Sequence, residues 1–352
     1  AIMDGDAAAV VASYQINENV GLTALWMRPL NDNYTGTNAD GEAYGNGYKN
    51  YLDNMDLFAL MLPLKFDGVE LTPWAMYGLQ GKNTRFNEGG VETADGALNV
   101  TLPGYYPGMN FGPGGLGHTG KSYGSMFWAG LPVAITAFDP LNIEFDINYG
   151  YVEAMGRYDV LKRGVESVLG NSKREGWLVK ALVEYKMDWG TPGIFGWYGS
   201  GDDSDVKYAR QGWIPTNVGR FHPTFAYCGG EYGLYDNNTR HAIAGTWGVQ
   251  AGIEDVSFIE DLTHKFTVTL WKGTNSDKLS GNYEAIEYMT TSDAAVEFNL
   301  ASTYKIYKNL TAVLELAYII NDFDKSDHHA YAATHEMDKD GWSASLLLLY
   351  KF

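Results

Sequence analysis

The segment Trp342-Ser-Ala-Ser-Leu-Leu-Leu-Leu-Tyr-Lys-Phe352 puts Trp342, Ala344, Leu346, Leu348, Tyr350 and Phe352 on one parity, an apolar stripe with an aromatic residue at each end. Side chains of a strand alternate between two faces, so this stripe suits a strand that shows one face to lipid. A buried strand of a soluble protein has no reason to end on such a stripe. The same pattern recurs along the chain as segments of roughly ten alternating residues separated by turn residues.

Strands are expected at about 7–16, 20–29, 55–66, 69–80, 126–138, 143–155, 176–189, 193–201, 242–258, 262–273, 294–307, 310–321 and 341–352. Short turns at Asn17-Glu-Asn19, Asp67-Gly68, Asp139-Pro-Leu-Asn142, Gly190-Thr-Pro192, Ile259-Glu-Asp261 and Lys308-Asn309 alternate with long connectors at 30–54, 81–125, 156–175, 202–241, 274–293 and 322–340. Such alternation fits a barrel with one rim in a confined compartment and the other facing outside. Tyr14, Phe66, Phe138, Tyr185, Trp189, Tyr304, Tyr307, Tyr350 and Phe352 gather near the short turns; Trp26, Tyr77, Tyr149, Trp177, Trp271, Tyr318 and Trp342 gather near the long connectors. Two aromatic bands separated by aliphatic residues mark the two edges of a bilayer. The expectation is an all-β, antiparallel transmembrane β-barrel.

Composition agrees and narrows the classes. The 352 residues show no composition break or Pro-rich linker, so residues 1–352 are read as one barrel domain. No apolar run approaches the ~20 residues of a spanning helix. A net charge of -18 disfavours a nucleic-acid partner. Cys228 is the only cysteine, which precludes an internal disulfide. The start, Ala1-Ile-Met-Asp-Gly-Asp, has no export-signal character. If the strand reaching Phe352 points inward, the first strand does too; an odd number of strands is then expected ahead of Ala1, giving sixteen in all, with eighteen as the alternative.

With these features in place, the chain resembles the outer-membrane trimeric porins of Gram-negative bacteria, and in detail the major porins of sulfate-reducing deltaproteobacteria. The resemblance is carried by Val20-Gly-Leu-Thr-Ala-Leu-Trp-Met-Arg-Pro29, Leu71-Thr-Pro-Trp-Ala-Met-Tyr-Gly78 and the last strand. It implies a homotrimer in the outer membrane, in contact with lipid bilayer and lipopolysaccharide. It further implies passive diffusion of small hydrophilic solutes and ions, a loop folded into the channel, and Tyr350 with Phe352 as an assembly signal.

If the parity of Phe352 faces lipid, the other parity lines the pore. Arg28, Lys180, Lys186, Lys265 and Lys305 then stand against Glu70, Glu144, Asp146, Glu184, Glu297 and Glu315 in near balance. The bland alternative is the solvated face of a half-exposed sheet. Connector 30–54 takes the place of the constriction loop, with Asp32, Asp40, Glu42, Lys49 and Asp53 as candidates; 81–125, with Tyr105 and Tyr106, is the alternative.

Other motifs point elsewhere and are outweighed. Gly115-Leu-Gly-His-Thr-Gly-Lys-Ser122 matches a phosphate-binding loop, but a Pro/Gly-rich loop precedes it and a strand-like segment follows, where a nucleotide cradle needs a helix. His328-His329 reads as a solvated loop pair, not a metal site. Asp322-Phe-Asp324-Lys-Ser-Asp327 lacks the Gly and closing Glu of a calcium loop, so calcium at the acidic external loops is the lesser reading and no cofactor is expected. No Gly-x-Ser-x-Gly elbow is present, and no enzymatic activity is expected. The function expected is a passive porin. The alternatives are a substrate-specific channel, a plugged structural or adhesive barrel, and a soluble β-rich binding protein.

Overall fold

A computed structural model describes residues 7–31, 54–81, 123–153, 157–161, 167–171, 173–203, 212–216, 224–225, 244–278, 288–328 and 339–351. Seventeen strands account for most of them. They are β1 (Ala8–Asn17), β2 (Val20–Asn31), β3 (Asn54–Met61), β4 (Leu64–Phe66), β5 (Val69–Leu71), β6 (Trp74–Gly81), β7 (Tyr123–Phe138) and β8 (Leu141–Val152); then β9 (Arg157–Leu161), β10 (Ser167–Asn171), β11 (Arg174–Tyr185) and β12 (Thr191–Gly199); and finally β13 (Thr246–Ile259), β14 (Leu262–Gly273), β15 (Ala294–Tyr307), β16 (Leu310–Asp322) and β17 (Gly341–Tyr350). All but β9 and β10 belong to one antiparallel sheet, in which β3 pairs β2 and β6, β4 pairs β2 and β5, β5 and β6 both pair β7, β8 pairs β7 and β11, and the other strands pair in chain order. β9 and β10 pair with each other, a hairpin within the connector expected at 156–175.

β3 with β4, and β5 with β6, are each one crossing interrupted by proline. Pro63 and Pro73 have no N–H to give the ladder, so pairing breaks at both points. Their carbonyls still accept, from Gly21 N at 2.9 Å and Leu62 N at 3.0 Å. Counting each pair once, the sheet crosses thirteen times, at the thirteen places expected from alternation. Pro29 has a related effect, since the register of β2 on β3 shifts between Met27 and Leu30. The turns are short, as expected; Gly68, at φ +67, occupies a conformation that a side chain strains, and a Cβ there would sit 2.6 Å from that of Ala137. One turn moves: Asp188-Trp189, closed by the Met187↔Gly190 bridge, replaces the expected 190–192.

The two faces of this sheet are opposite in character. On β17, Trp342, Leu346, Leu348 and Tyr350 are 78%, 72%, 67% and 55% exposed, while Leu347 between them is buried. The pattern carries across the register: Tyr318 opposite Trp342, Leu316 opposite Ala344 and Leu314 opposite Leu346 are exposed, whereas Val313, Glu315 and Ala317 are buried. In water, leaving large apolar side chains exposed forfeits about 1.5–3 kcal/mol each. The four on β17 alone would consume most of the roughly 5–15 kcal/mol by which a folded protein is stable. Hydrocarbon removes that cost, so the outward face is a lipid face and the sheet is the wall of a transmembrane β-barrel. An antiparallel wall with this belt is an outer-membrane wall.

The aromatic bands occupy the outward face, with Tyr14, Phe66, Phe138, Tyr185, Trp189, Tyr304, Tyr307 and Tyr350 exposed near the short turns and Tyr77, Trp177, Tyr318 and Trp342 near the long connectors. Trp271 departs from the expectation. It pairs with Gly248 and Ala295 on the inner parity and is 1% exposed, packed edge-on against Trp197 at 4.6 Å.

Candidate functional site

The inner parity carries most of the charges singled out in the sequence, and register brings them side by side. Lys180 on β11 faces Asp146 on β8, and Glu144 lies between Ala134 and Leu182 one step nearer the short turns. Asn142 donates to Glu144 at 3.2 Å and to Glu184 at 3.3 Å, and Asn148 donates to Asp146 at 2.9 Å. Glu70, opposite Ala134 on the same row, pairs with Lys65 at 3.2 Å. On the far strands Lys265 pairs with Glu254 at 2.7 Å, and Lys305 lies opposite Thr311. Lys186 follows the end of β11 and is exposed; its backbone N–H donates to Pro140 O. Glu254, not among the expected wall charges, keeps the inner parity of Gln250 and Gly252 just ahead of the bulge at Asp255 (φ 55).

Arg28 does not line the inner face. It shares the parity of Leu22, Ala24 and Trp26, whose partners Tyr14, Leu60 and Phe58 are exposed on the lipid side. Its guanidinium grips Asp56, also on the outward parity, through Nε to Oδ1 and Nη2 to Oδ2, both at 2.9 Å. The physical reason is strand geometry: residues two apart on one strand cannot face different media. Trp26, assigned outward from the start, already fixed the side of Arg28.

Part of the inner wall is covered from within. The connector after β12 folds inward, where Trp213, Ile214 and Thr216 are buried. Its seat is a notch made by Gly150 and Gly176, which face each other across β8 and β11 beside Trp128. A Cβ on Gly150 would stand 2.9 Å from Pro215 Cδ and 3.0 Å from Ile214 Cγ1; one on Gly176 would stand 2.5 Å from Gly212 O. Only glycine at both positions lets the connector lie against the wall. Trp128 donates its Nε1–H to Pro215 O at 2.9 Å, and Ser200 Oγ donates to Gly212 O. Further along the same connector, the backbone N–H of Phe225 donates to Glu297 Oε1 at 2.8 Å and Asn299 Oδ1 at 3.0 Å, and the Phe225 ring packs on Ala301 and Ala317. Glu297 and Glu315 are therefore buried, at 0% and 1%; Ser345 donates to Glu315 at 3.3 Å.

The inward connector is tied to the mouth. Asn275 accepts from Trp213 Nε1 at 2.7 Å and from Asp202 N at 3.0 Å, and donates to Met289 O at 2.8 Å. Tyr288 donates to Asp202 at 2.9 Å and stacks on Trp213. Beyond this hub, Asp293 Oδ2 receives Thr290 N at 2.6 Å and meets His328 Nε2 at 2.7 Å, while Asp293 Oδ1 receives Asp324 N at 2.8 Å. His328 is thus buried and joined to a carboxylate, not solvated as expected from its loop position. Asp324 and Asp327 turn toward Ser326 N and Thr290 Oγ1. The Asp293→Ala variant leaves two buried donors without their acceptor, at about 1–3 kcal/mol each. Limited proteolysis of the folded barrel should then cut the connectors around 290 and 325 markedly faster than in the parent.

The described residues that fold inward, 212–216 and 224–225, belong to the connector between β12 and β13, and the connector expected to form the constriction, 30–54, lies almost wholly outside the described residues. The candidates Asp32, Asp40, Glu42, Lys49 and Asp53 lie outside the described residues, as do Phe352, Gly115–Ser122, Tyr105, Tyr106, Cys228 and His329.

No protein-family model matches the chain, and no curated protein matches it in sequence. Among solved structures it is similar to the siderophore receptor PiuA from Acinetobacter baumannii, at 12% identity and a TM-score of 0.43, covering 90% of this chain and 46% of that one. It is also similar to the outer membrane channel DcaP of Acinetobacter baumannii, at 11% identity and a TM-score of 0.35, covering 98% of this chain and 97% of that one. The CymD monoaromatic hydrocarbon channel matches at 10% identity and a TM-score of 0.31, covering 90% of this chain and 78% of that one. The chain spans under half the length of the siderophore receptor. Similarity at these scores assigns neither cargo nor assembly.

Proposed function

We propose that the protein is a passive, non-enzymatic channel of the bacterial outer membrane, letting small hydrophilic solutes and ions diffuse through a lumen narrowed where residues 212–216 and 224–225 lie against the inner wall. The observation that supports this reading is the division of one sheet between two media. The outward parity is an apolar belt, and the inward parity carries amine–carboxylate pairs such as Lys180/Asp146 and Lys265/Glu254 near the short-turn half. Charged walls are costly unless water reaches them, and in a barrel the lumen is where it can. Amines and carboxylates set side by side on the wall give the lumen a transverse field. A homotrimer, implied by the family resemblance, is part of the same proposal.

Planar bilayer recording tests it. Ohmic openings in three equal steps are expected; openings that saturate at low solute concentration would mark a substrate-specific channel instead. Membrane-inserted protein that stays silent would sink the reading in favour of a plugged structural barrel.

A further inference from the structure

The segment 212–216 is fastened to the mouth at more points than to the wall on which it rests. The barrel strands reach it through Trp128, bonded to Pro215 O at 2.9 Å, and through Arg174, whose Cζ lies 6.0 Å from the centre of the Trp213 ring. Its seat, Gly150 and Gly176, has no side chains to interlock with it. From the mouth, Ser200 donates to Gly212 O, Asp202 Oδ1 accepts from Gly212 N at 3.2 Å, Asn275 accepts from Trp213 Nε1 at 2.7 Å, and the Tyr288 ring stacks on that of Trp213.

Asn275 is the junction of these ties. Its Oδ1 accepts from Trp213 Nε1 and from Asp202 N, and its Nδ2 donates to Met289 O at 2.8 Å and Gly245 O at 3.3 Å, so both lone pairs and both N–H groups of the buried amide are used. The partners fix its orientation, since two are N–H donors and two are carbonyls. Gly245, at φ +78, makes the room: a Cβ there would stand 2.6 Å from Asn275 Nδ2 and 3.0 Å from Trp213 Cε2. On the far side Met289 leads into Thr290, whose N–H and hydroxyl donate to Asp293 Oδ2, the oxygen that also meets His328. A continuous chain of bonds thus runs from the connector after β16, through the connector before β15, to a segment lying in the lumen.

We infer that 212–216 is a gate with two positions, seated on the glycine notch while Asn275 holds Trp213 and lifted when the connectors at the mouth let go. This rests on the channel reading and goes beyond it, because the narrowing becomes a setting controlled from the rim of the long connectors and not a fixed dimension of the pore. Side chains interlocked with the wall would give the segment one position. A segment resting on two glycines and tied to connectors has a discrete alternative, and the chain through Asn275 is the physical link by which the mouth biases it. Asn275 is a positioning residue, acting through Trp213.

Thiol labelling reads the position of the segment without any current. In a Cys228→Ser background, which removes the only native cysteine, Ile214→Cys lies buried against Gly150 and should react slowly with a membrane-impermeant methanethiosulfonate. Asn275→Ala should speed that reaction about tenfold or more, since it removes four hydrogen bonds at once. Trp213→Phe, which keeps the ring and loses the bond to Asn275, should speed it severalfold, and so should Asp293→Ala, whose carboxylate bonds to neither the segment nor the wall. Lys305→Cys, exposed on the inner wall, is the reference and should react at one rate in all these backgrounds. In planar bilayers the same variants should spend more time in the larger of two conductance levels. Unchanged labelling of Ile214→Cys in both Asn275→Ala and Trp213→Phe, with heat-shifted gel mobility intact, would overturn the gate. So would a single higher conductance level without transitions. Silent bilayers with labelling that still responds to Asn275→Ala would keep the movable segment and sink the channel reading alone.

Discussion

Replacing Gly176 by Val should raise single-channel conductance severalfold while leaving the barrel folded. A Cβ at 176 meets Ile214 N, Gly212 O and Ser200 Oγ, two of them connector backbone that no rotamer change can move aside. Overpacking of this kind costs about 1–3 kcal/mol if the neighbours hold their places. The wall has no reason to yield, because β-branched residues suit a strand better than glycine and β11 keeps partners on both sides. The connector is the weaker element. Around the notch it is held by Trp128 Nε1 to Pro215 O, by Ser200 to Gly212 O and by Trp213 to Asn275, a few hydrogen bonds of about 0.5–1.5 kcal/mol each. The strain therefore lifts 212–216 off the wall and widens the lumen. Gly150→Val should act in the same direction, since its Cβ would stand 2.8 Å from Trp128 Cδ1 as well as against Pro215. Ala181→Val, on the lipid side of the same strand, is the control and should leave conductance unchanged. Unchanged conductance in both glycine variants, with the barrel intact, would remove residues 212–216 from the permeation path.

The contrast between what alternation disclosed and what it missed follows from the range of the forces involved. Strand positions depend on a period of two and on local turn residues, so thirteen crossings were legible, along with the inward parity of Glu144, Lys180 and Glu297. The sides of Arg28 and Trp271 were legible too, since parity and not residue type sets them. Trp271 shares its side with Thr267 and Thr269, as Arg28 does with Trp26. The inward connector is of another kind. Phe225 finds Glu297 72 residues away, and Trp128 finds Pro215 87 residues away, contacts that no periodicity encodes. The one local trace was a pair of inner-parity glycines, Gly150 and Gly176, at the height where β7 places Trp128. Likewise His328 looked solvated because its partner Asp293 comes from another connector, 35 residues earlier.

The Leu346→Lys variant should lose about 2–4 kcal/mol of stability in a phospholipid bilayer, the cost of a lysine near the midplane of a barrel's lipid face. Leu346 stands midway along β17, between the aromatic boundary at Trp342 and that at Tyr350, and its outward partner is Leu314. Leu348 is two residues from Tyr350, so Leu348→Lys should cost less, approaching the ~0–1 kcal/mol seen at an interface, because its ammonium can reach the headgroups. Ser345→Lys is the decisive neighbour. It adds the same charge one residue away, but on the inner parity beside Glu315, where a carboxylate is within reach. Its cost should stay below that of Leu346→Lys. Reversible urea unfolding in lipid vesicles, followed by heat-shifted gel mobility, measures all three. The ordering matters more than any single value. A protein interior would penalise lysine at 346 and 348 alike, and open water would penalise neither; only a slab of hydrocarbon grades the cost by depth on one parity and spares the other.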